Sequence, residues 1–147
     1  MTIKEIKENK KQYLSLLFLA DEQEDMIDRY LERGRMYALD DDGVKCECVV
    51  TDEGDGIIEI KNIATLPEHQ GKGYARTLID YLIKEYKDKY SIIQVGTGDS
   101  PLTIPFYERC GFIRSHVIKD FFTDNYDHPI YEMGVLLRDM IYLKKEI

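Results

Sequence analysis

IIEIKNIATLPEHQGKGYARTLIDYLIKEY, residues 57–86, decides the fold. Its first part, with Ile57, Ile58, Ile60, Ile63, Ala64 and Leu66, is a β-rich and nearly continuous apolar run. That is the pattern of a central strand buried on both faces rather than of a one-sided surface strand. From Tyr74 the period changes: Ala75, Leu78, Ile79, Leu82, Ile83 and Tyr86 recur at helical spacing with charged residues between them. Gly71 and Gly73 therefore fall at a strand-to-helix junction. A helix start offers unpaired N–H groups and the positive end of the dipole. Glycine lets an anion approach the backbone, and Lys72 and Arg76 add charge beside it. The expected chemistry is a phosphate or pyrophosphate cradle.

Working outward, Thr2 to Ile6 reads as a first strand, and the apolar residues from Tyr13 to Leu19 as a helix. Asp21 is placed to N-cap a second helix over Glu22 to Arg33, ended by Gly34. Its apolar stripe is Met26, Ile27, Tyr30 and Leu31. The carboxylates Glu22, Glu24, Asp25, Asp28 and Glu32 form either a solvated face or the edge of a groove that favours a cationic substrate. Met36 to Leu39 and Val44 to Thr51 read as a hairpin. Ser91 to Val95 is a further buried strand, so the strand, helix and strand around the cradle predict a parallel crossover within a mixed sheet. Ser100-Pro101 opens a short helix over Leu102 to Cys110. Phe112 to Ile118 and Ile130 to Leu143 complete the chain as an antiparallel pair, the last strand being the expected place for a possible homodimer contact. Between them lies an aromatic-rich loop, Asp120 to Pro129, which reads as a core plug or as a binding loop.

A length of 147 residues fits one domain, 1–147, with a real core. The net charge of −8 argues against nucleic acid, which would want a basic face. No apolar stretch is long enough to span a membrane and the N-terminus lacks a signal-peptide pattern, so a cytoplasmic protein with no membrane partner is expected. Cys46, Cys48 and Cys110 read as packed free thiols, and with His69, His116 and His128 they give no metal-ligand spacing. Metal is not expected.

Spacing discriminates between the cradles that use such a turn. A Walker A loop needs Gly, four residues, then Gly-Lys-Ser/Thr, which is absent. A dinucleotide fingerprint needs a small residue where Arg76 stands and an acidic residue ending the next strand, where Gln94 stands. Gln70-Gly71-Lys72-Gly73-Tyr74-Ala75, preceded by Leu66-Pro67-Glu68, resembles instead the Gln/Arg-x-x-Gly-x-Gly/Ala signature of the GNAT superfamily of N-acetyltransferases. Phe106-Tyr107-Glu108-Arg109-Cys110-Gly111-Phe112 resembles the Leu/Phe-Tyr-x-x-x-Gly-Phe segment that follows it there. With the element order, the likeness covers nearly the whole chain and is similar to small uncharacterised bacterial members.

The resemblance implies an α/β (α+β) fold: a mixed, mostly antiparallel twisted sheet flanked by helices, with a splayed parallel pair at its centre. It implies acetyl-CoA as cosubstrate and direct transfer of the acetyl group to an amine-bearing small molecule or peptide. Gly71, Lys72, Gly73, Tyr74, Ala75 and Arg76 would hold the pyrophosphate, and the backbone of Ile63, Ala64 and Thr65 would pair with the pantetheine arm. Tyr107 would protonate the leaving thiolate, its reference pKa of ~10 keeping it protonated at neutral pH. Glu59 is the candidate base, lying four residues before Ile63, the position of a catalytic glutamate in the histone-acetylating branch. Strand alternation puts Glu59, Lys61, Ile63 and Thr65 on one face unless a bulge intervenes. Glu59 has a second reading as a partner of Lys61, and base action through a water chain stays open. Many members carry Asn where this chain has Ser100, a residue that would cap the helix or contact the cofactor. Several carry a glutamate near Val95, and that variant is excluded here. Tyr30, Phe121, Tyr126 and His128 are candidates for substrate contact. A non-catalytic acyl-CoA-binding or sensor module is the alternative.

Overall fold

The computed structural model describes residues 1–147. The strands are β1 (Thr2–Ile6), β2 (Arg35–Asp40), β3 (Val44–Gly54), β4 (Ile57–Thr65), β5 (Ile92–Gly98), β6 (Ile113–Ile118), β7 (Tyr131–Glu132), β8 (Val135–Leu136) and β9 (Met140–Glu146). The helices are α1 (Leu14–Ala20), α2 (Glu24–Ile27), α3 (Tyr74–Tyr86), α4 (Thr103–Arg109) and α5 (Phe121–Asn125). Seven strands form one sheet in the order β1-β2-β3-β4-β5-β9-β6, and β7 and β8 make a separate hairpin. Only β4 and β5 pair in parallel; every other neighbouring pair is antiparallel. The mixed sheet, with its parallel centre, is the expected class.

Each face of the sheet has its own core. Cys46, Cys48, Val50, Ile58 and Ile60 pack under Leu78, Ile79, Leu82 and Tyr86 of α3 and Ile104 and Tyr107 of α4. Met36, Ala38 and Val49 point the other way, onto Leu17, Ile27, Tyr30 and Leu31. This division follows from the two-residue period of β2 and β3. All three cysteines are free and buried, and burial pushes the Cys46 thiol up to about 12.

Several local expectations are corrected. The second helix stops at Ile27, and residues 28–34 continue as turns. Its apolar residues Met26, Ile27, Tyr30 and Leu31 are buried all the same. The carbonyls released by those turns converge on Lys10, whose buried ammonium donates to Leu31 O at 2.9 Å and Gly34 O at 2.7 Å. A buried lysine thus satisfies main-chain acceptors at the end of the segment that periodicity assigned to a helix. Lys10→Met should therefore destabilise the fold by about 1–3 kcal/mol, the cost of stranding buried acceptors, as read from the urea midpoint. Asp21 follows α1 as its C-cap and does not cap α2, whose N-cap is Gln23. The stretch from Ile130 to Leu143 is not one strand, because Met133 and Gly134 both take positive φ and fold it into the β7–β8 hairpin. The aromatic loop contains a helical turn, α5, whose Phe122 packs with Ile130 and Leu137. The last strand, β9, lies inside the sheet between β5 and β6, so strand addition by a second copy would have to use β6 or β1 rather than β9.

Candidate active site

Between β4 and α3 a 3-10 turn over Pro67–His69 leads into Gly71 and Gly73, at φ 79° and 84°. Both conformations belong to the left-handed region that glycine enters without strain. The turn leaves the backbone amides from Gly71 to Arg76 without an acceptor in the chain, and Gly73 caps α3 with no side-chain hydrogen bond. A Cβ on either glycine would meet no protein atom within 4 Å, so the space above the amides is open. Lys72 reaches Nδ1 of His69 at 3.3 Å, and Arg76 is exposed beside them. The Tyr74 hydroxyl donates to Asp41 Oδ2 at 2.6 Å and ties the start of α3 to the β2–β3 turn. Unpaired amides, a helix dipole and two cations make this a locally positive surface on an acidic protein.

The same strand opens a cleft. β4 and β5 are paired only over Ile57–Ile60 and Ile92–Val95. Lys61 is then an extra residue, since Val50 pairs with Ile60 and Val49 with Asn62. Such a bulge bends its strand. From Asn62 to Thr65 β4 keeps its pairing with β3 but has no partner on the β5 side, while β5 runs on to Gly98 against β9. Ile63, Ala64 and Thr65 thus present a free backbone edge.

The bulge overturns the alternation expected along β4. Ile63 and Thr65 sit opposite Cys48 and Cys46 on the α3 side of the sheet, whereas Glu59, opposite Thr51, faces away with Asn62 and Ala64.

Tyr107 is only 5 % exposed, with its ring edge-on to Phe106 and Phe112. Its hydroxyl makes no hydrogen bond, yet it is not among the polar atoms sealed from solvent. Burial, with Cys110, Glu132 and Cys46 nearby, raises its pKa and keeps the phenol protonated. Cys46, one of the groups bearing on Tyr107, pairs with Thr65 at the open end of β4 and accepts from its hydroxyl at 3.3 Å. Ser100 is buried and accepts from Leu102 N–H at 3.1 Å, so its hydroxyl serves the start of α4. Glu59 is buried as well: Lys61 approaches it at 2.7 Å, Gln94 donates to it at 2.5 Å and Tyr142 at 3.2 Å.

An acetyltransferase (GNAT) domain model matches residues 32–114. The chain belongs to the GNAT acetyltransferase family. It is 36% identical over 139 residues to the uncharacterized N-acetyltransferase YvbK of Bacillus subtilis (strain 168), covering 92% of this chain and 90% of that one. Among solved structures it resembles a GNAT family acetyltransferase from Elizabethkingia anophelis with acetyl-CoA bound, at 33% identity and TM-score 0.93, covering 99% and 97% of the two chains. It also resembles the IAA acetyltransferase from Bacillus cereus ATCC 14579, at 35% identity and TM-score 0.92, covering 99% of each.

The face of this GNAT sheet turned away from α3 brings together residues that the sequence leaves scattered. Asn62 donates to Leu17 O and to the Tyr30 hydroxyl, each at 3.1 Å. Tyr30 donates to Asp21 Oδ2 at 2.8 Å, and Tyr126 donates to Asp21 Oδ1 at 2.7 Å. Burial raises the pKa of Asp21 against these hydrogen bonds, which favour its anion. Further contacts clasp the α1–α2 segment to the aromatic one: Arg29 donates to Asn125 at 3.0 Å, and the Asp127 amide to Gln23 at 3.0 Å. His128 bridges Asp127 at 2.6 Å and Glu22 at 2.9 Å, and these carboxylates raise its pKa. Phe121 stands edge-on to Phe122 rather than reaching Asp21. A cavity of about 330 Å³ lies against Phe122, Tyr126, His128, Ile130 and Leu137.

Asp21, Glu47, Asn62 and Glu132 are buried or half-buried polar residues near these candidates that sequence reasoning did not select. Both carboxylate oxygens of Glu47 and Oδ1 of Asn62 are buried without a hydrogen-bond partner. Glu132, half-buried beside Ser100 and Tyr107, has its carboxyl raised by burial. An acidic residue within a strand of otherwise inward-facing positions, as Glu47 is, was the signal available for one of them.

Proposed function

We propose that the protein transfers the acetyl group of acetyl-CoA directly to a primary amine of a small molecule or peptide. Acetyl-CoA is the cosubstrate, and when bound it supplies the acetyl group as an activated thioester. The observation that carries the reading is the continuity of the free amides at Gly71–Arg76 with the unpaired β4 edge at Ile63–Thr65. A diphosphate fits the first, and an amide-bearing arm fits the second as an added strand would.

Within that frame the residues have separable tasks. Gly71 and Gly73 expose the amides, while Lys72 and Arg76 offset the phosphate charge. The β4 edge orients the arm and offers an N–H toward the thioester carbonyl, a donor placed where negative charge develops. Tyr107, protonated at neutral pH, supplies the proton that the departing sulfur needs. Ser100 supports α4 rather than the cofactor. Glu59 is already ion-paired to Lys61 and hydrogen-bonded twice, so in this reading it fixes the floor of the cleft.

The test is thiol release from acetyl-CoA across a panel of polyamines, aminoglycosides and basic peptides. Amine-dependent release is expected. Tight acetyl-CoA binding by calorimetry with no release across the panel would replace the reading with a non-catalytic acyl-CoA-binding module.

A further inference from the structure

Asp21 is the one carboxylate on the far face of the sheet that joins the floor of the cleft to its roof. The floor is β4, with Asn62 next in sequence to Ile63 of the free edge. The roof is the aromatic segment, seated on β5 and β9: the backbone of Gly98 lies against Leu137, which packs with Phe122. Two hydrogen bonds, Asn62 to Tyr30 and Tyr30 to Asp21, connect the strand to the carboxylate, and a third continues from Tyr126 in the roof. We propose that Asp21, held between Tyr30 and Tyr126, is the group that takes the proton of the acceptor amine. This rests on the transferase reading above.

The surrounding chemistry favours Asp21 over Glu59. Glu59 holds a cation at 2.7 Å and two further donors, so its carboxylate oxygens are already engaged within the protein. Asp21 has no cationic partner: its oxygens accept from the Tyr30 and Tyr126 hydroxyls and the Gln23 backbone, and burial outweighs these donors and strengthens it as a base. The floor also holds an acceptor without a donor, Asn62 Oδ1, and the fully buried Glu47, whose carboxyl burial pushes well above the usual carboxylate range. Buried acceptors without donors mark a place suited to N–H groups. The charged and titratable groups around Asp21 are Tyr30, Tyr126 and Glu22, with Glu47 beyond Tyr30 and Arg29 beyond Tyr126. His128 and Asp127 stand further along the roof.

The proton count closes. The amine arrives as an ammonium; one of its protons passes to Asp21, which frees the nitrogen lone pair that then forms the C–N bond. Formation of that bond removes the basicity of the nitrogen, which draws the transfer forward. The C–S electron pair leaves on sulfur, which takes a proton from Tyr107; a second proton from nitrogen restores the phenol. Asp21 returns its proton to solvent, so the reaction releases one proton overall.

The experiment is the pH profile of kcat/KM for an amine that the wild type acetylates. Asp21→Asn should lower kcat/KM about a hundredfold and abolish the acidic limb, while acetyl-CoA affinity by calorimetry stays unchanged. Tyr126→Phe leaves the carboxylate in place but removes a donor to its anion, so the limb should move to higher pH. An acidic limb that survives Asp21→Asn, or wild-type turnover in that variant, overturns the assignment of Asp21 and leaves the transferase reading standing. Failure of the wild type to acetylate any amine overturns both.

Discussion

Tyr107→Phe should lower kcat about a hundredfold, within the range general acid catalysis supplies, and change the KM for acetyl-CoA little. The ring is one of the most enclosed aromatics of the α3-side core, and phenylalanine keeps its edge-on contacts with Phe106 and Phe112. The hydroxyl has no partner in the protein, so its loss strands no donor or acceptor, and the variant should melt with the wild type. What disappears is a proton at the open end of β4. Because that interaction is made only as the sulfur departs, kcat and kcat/KM should fall together. Turnover equal to wild type would remove the general-acid role.

The sequence made legible what is encoded locally. Gly71 and Gly73 sit in a short segment whose conformation depends on the glycines themselves, so the cradle and the following helix could be read from spacing alone. The central strand was legible too, because both of its faces are covered. The bulge at Lys61 was not, since a register shift exists only relative to a partner strand, here Val49 and Val50. That single extra residue moves Ile63 and Thr65 to the face opposite Glu59, and with them the assignment of roles along β4.

Asp21 illustrates the same limit from the other side. Its position before an amphipathic stretch matches the preference of aspartate for helix starts, yet its carboxylate is committed to Tyr126, more than a hundred residues away in sequence. Likewise the stripe Met26, Ile27, Tyr30 and Leu31 identified buried residues correctly while overstating the helix, because the turns that follow Ile27 bury the same side chains, with Lys10 satisfying carbonyls at their end. Burial pattern was therefore readable where side-chain partnership was not.

Gly73→Val should abolish most acetyl-CoA binding while leaving the chain folded. At φ 84° a residue with a Cβ costs about 1–2 kcal/mol, a loss most single domains survive. A Cβ there meets no atom within 4 Å beyond its chain neighbours, so the side chain projects into open space. The space it fills is the space over the free amides, so the ligand bears the clash. Acetyl-CoA at a hundred times its Kd should stabilise the wild type by about 2.7 kcal/mol, and in Gly73→Val most of that thermal shift should vanish. Gly54 provides the control for backbone strain. It has φ 82° and equally open surroundings, but it lies at the β3–β4 turn, at the opposite end of β4 from the cradle. Gly54→Val should therefore lose a similar amount of intrinsic stability and keep the full acetyl-CoA shift. Equal shifts in the two variants would mean that the diphosphate does not sit on the Gly71–Arg76 amides.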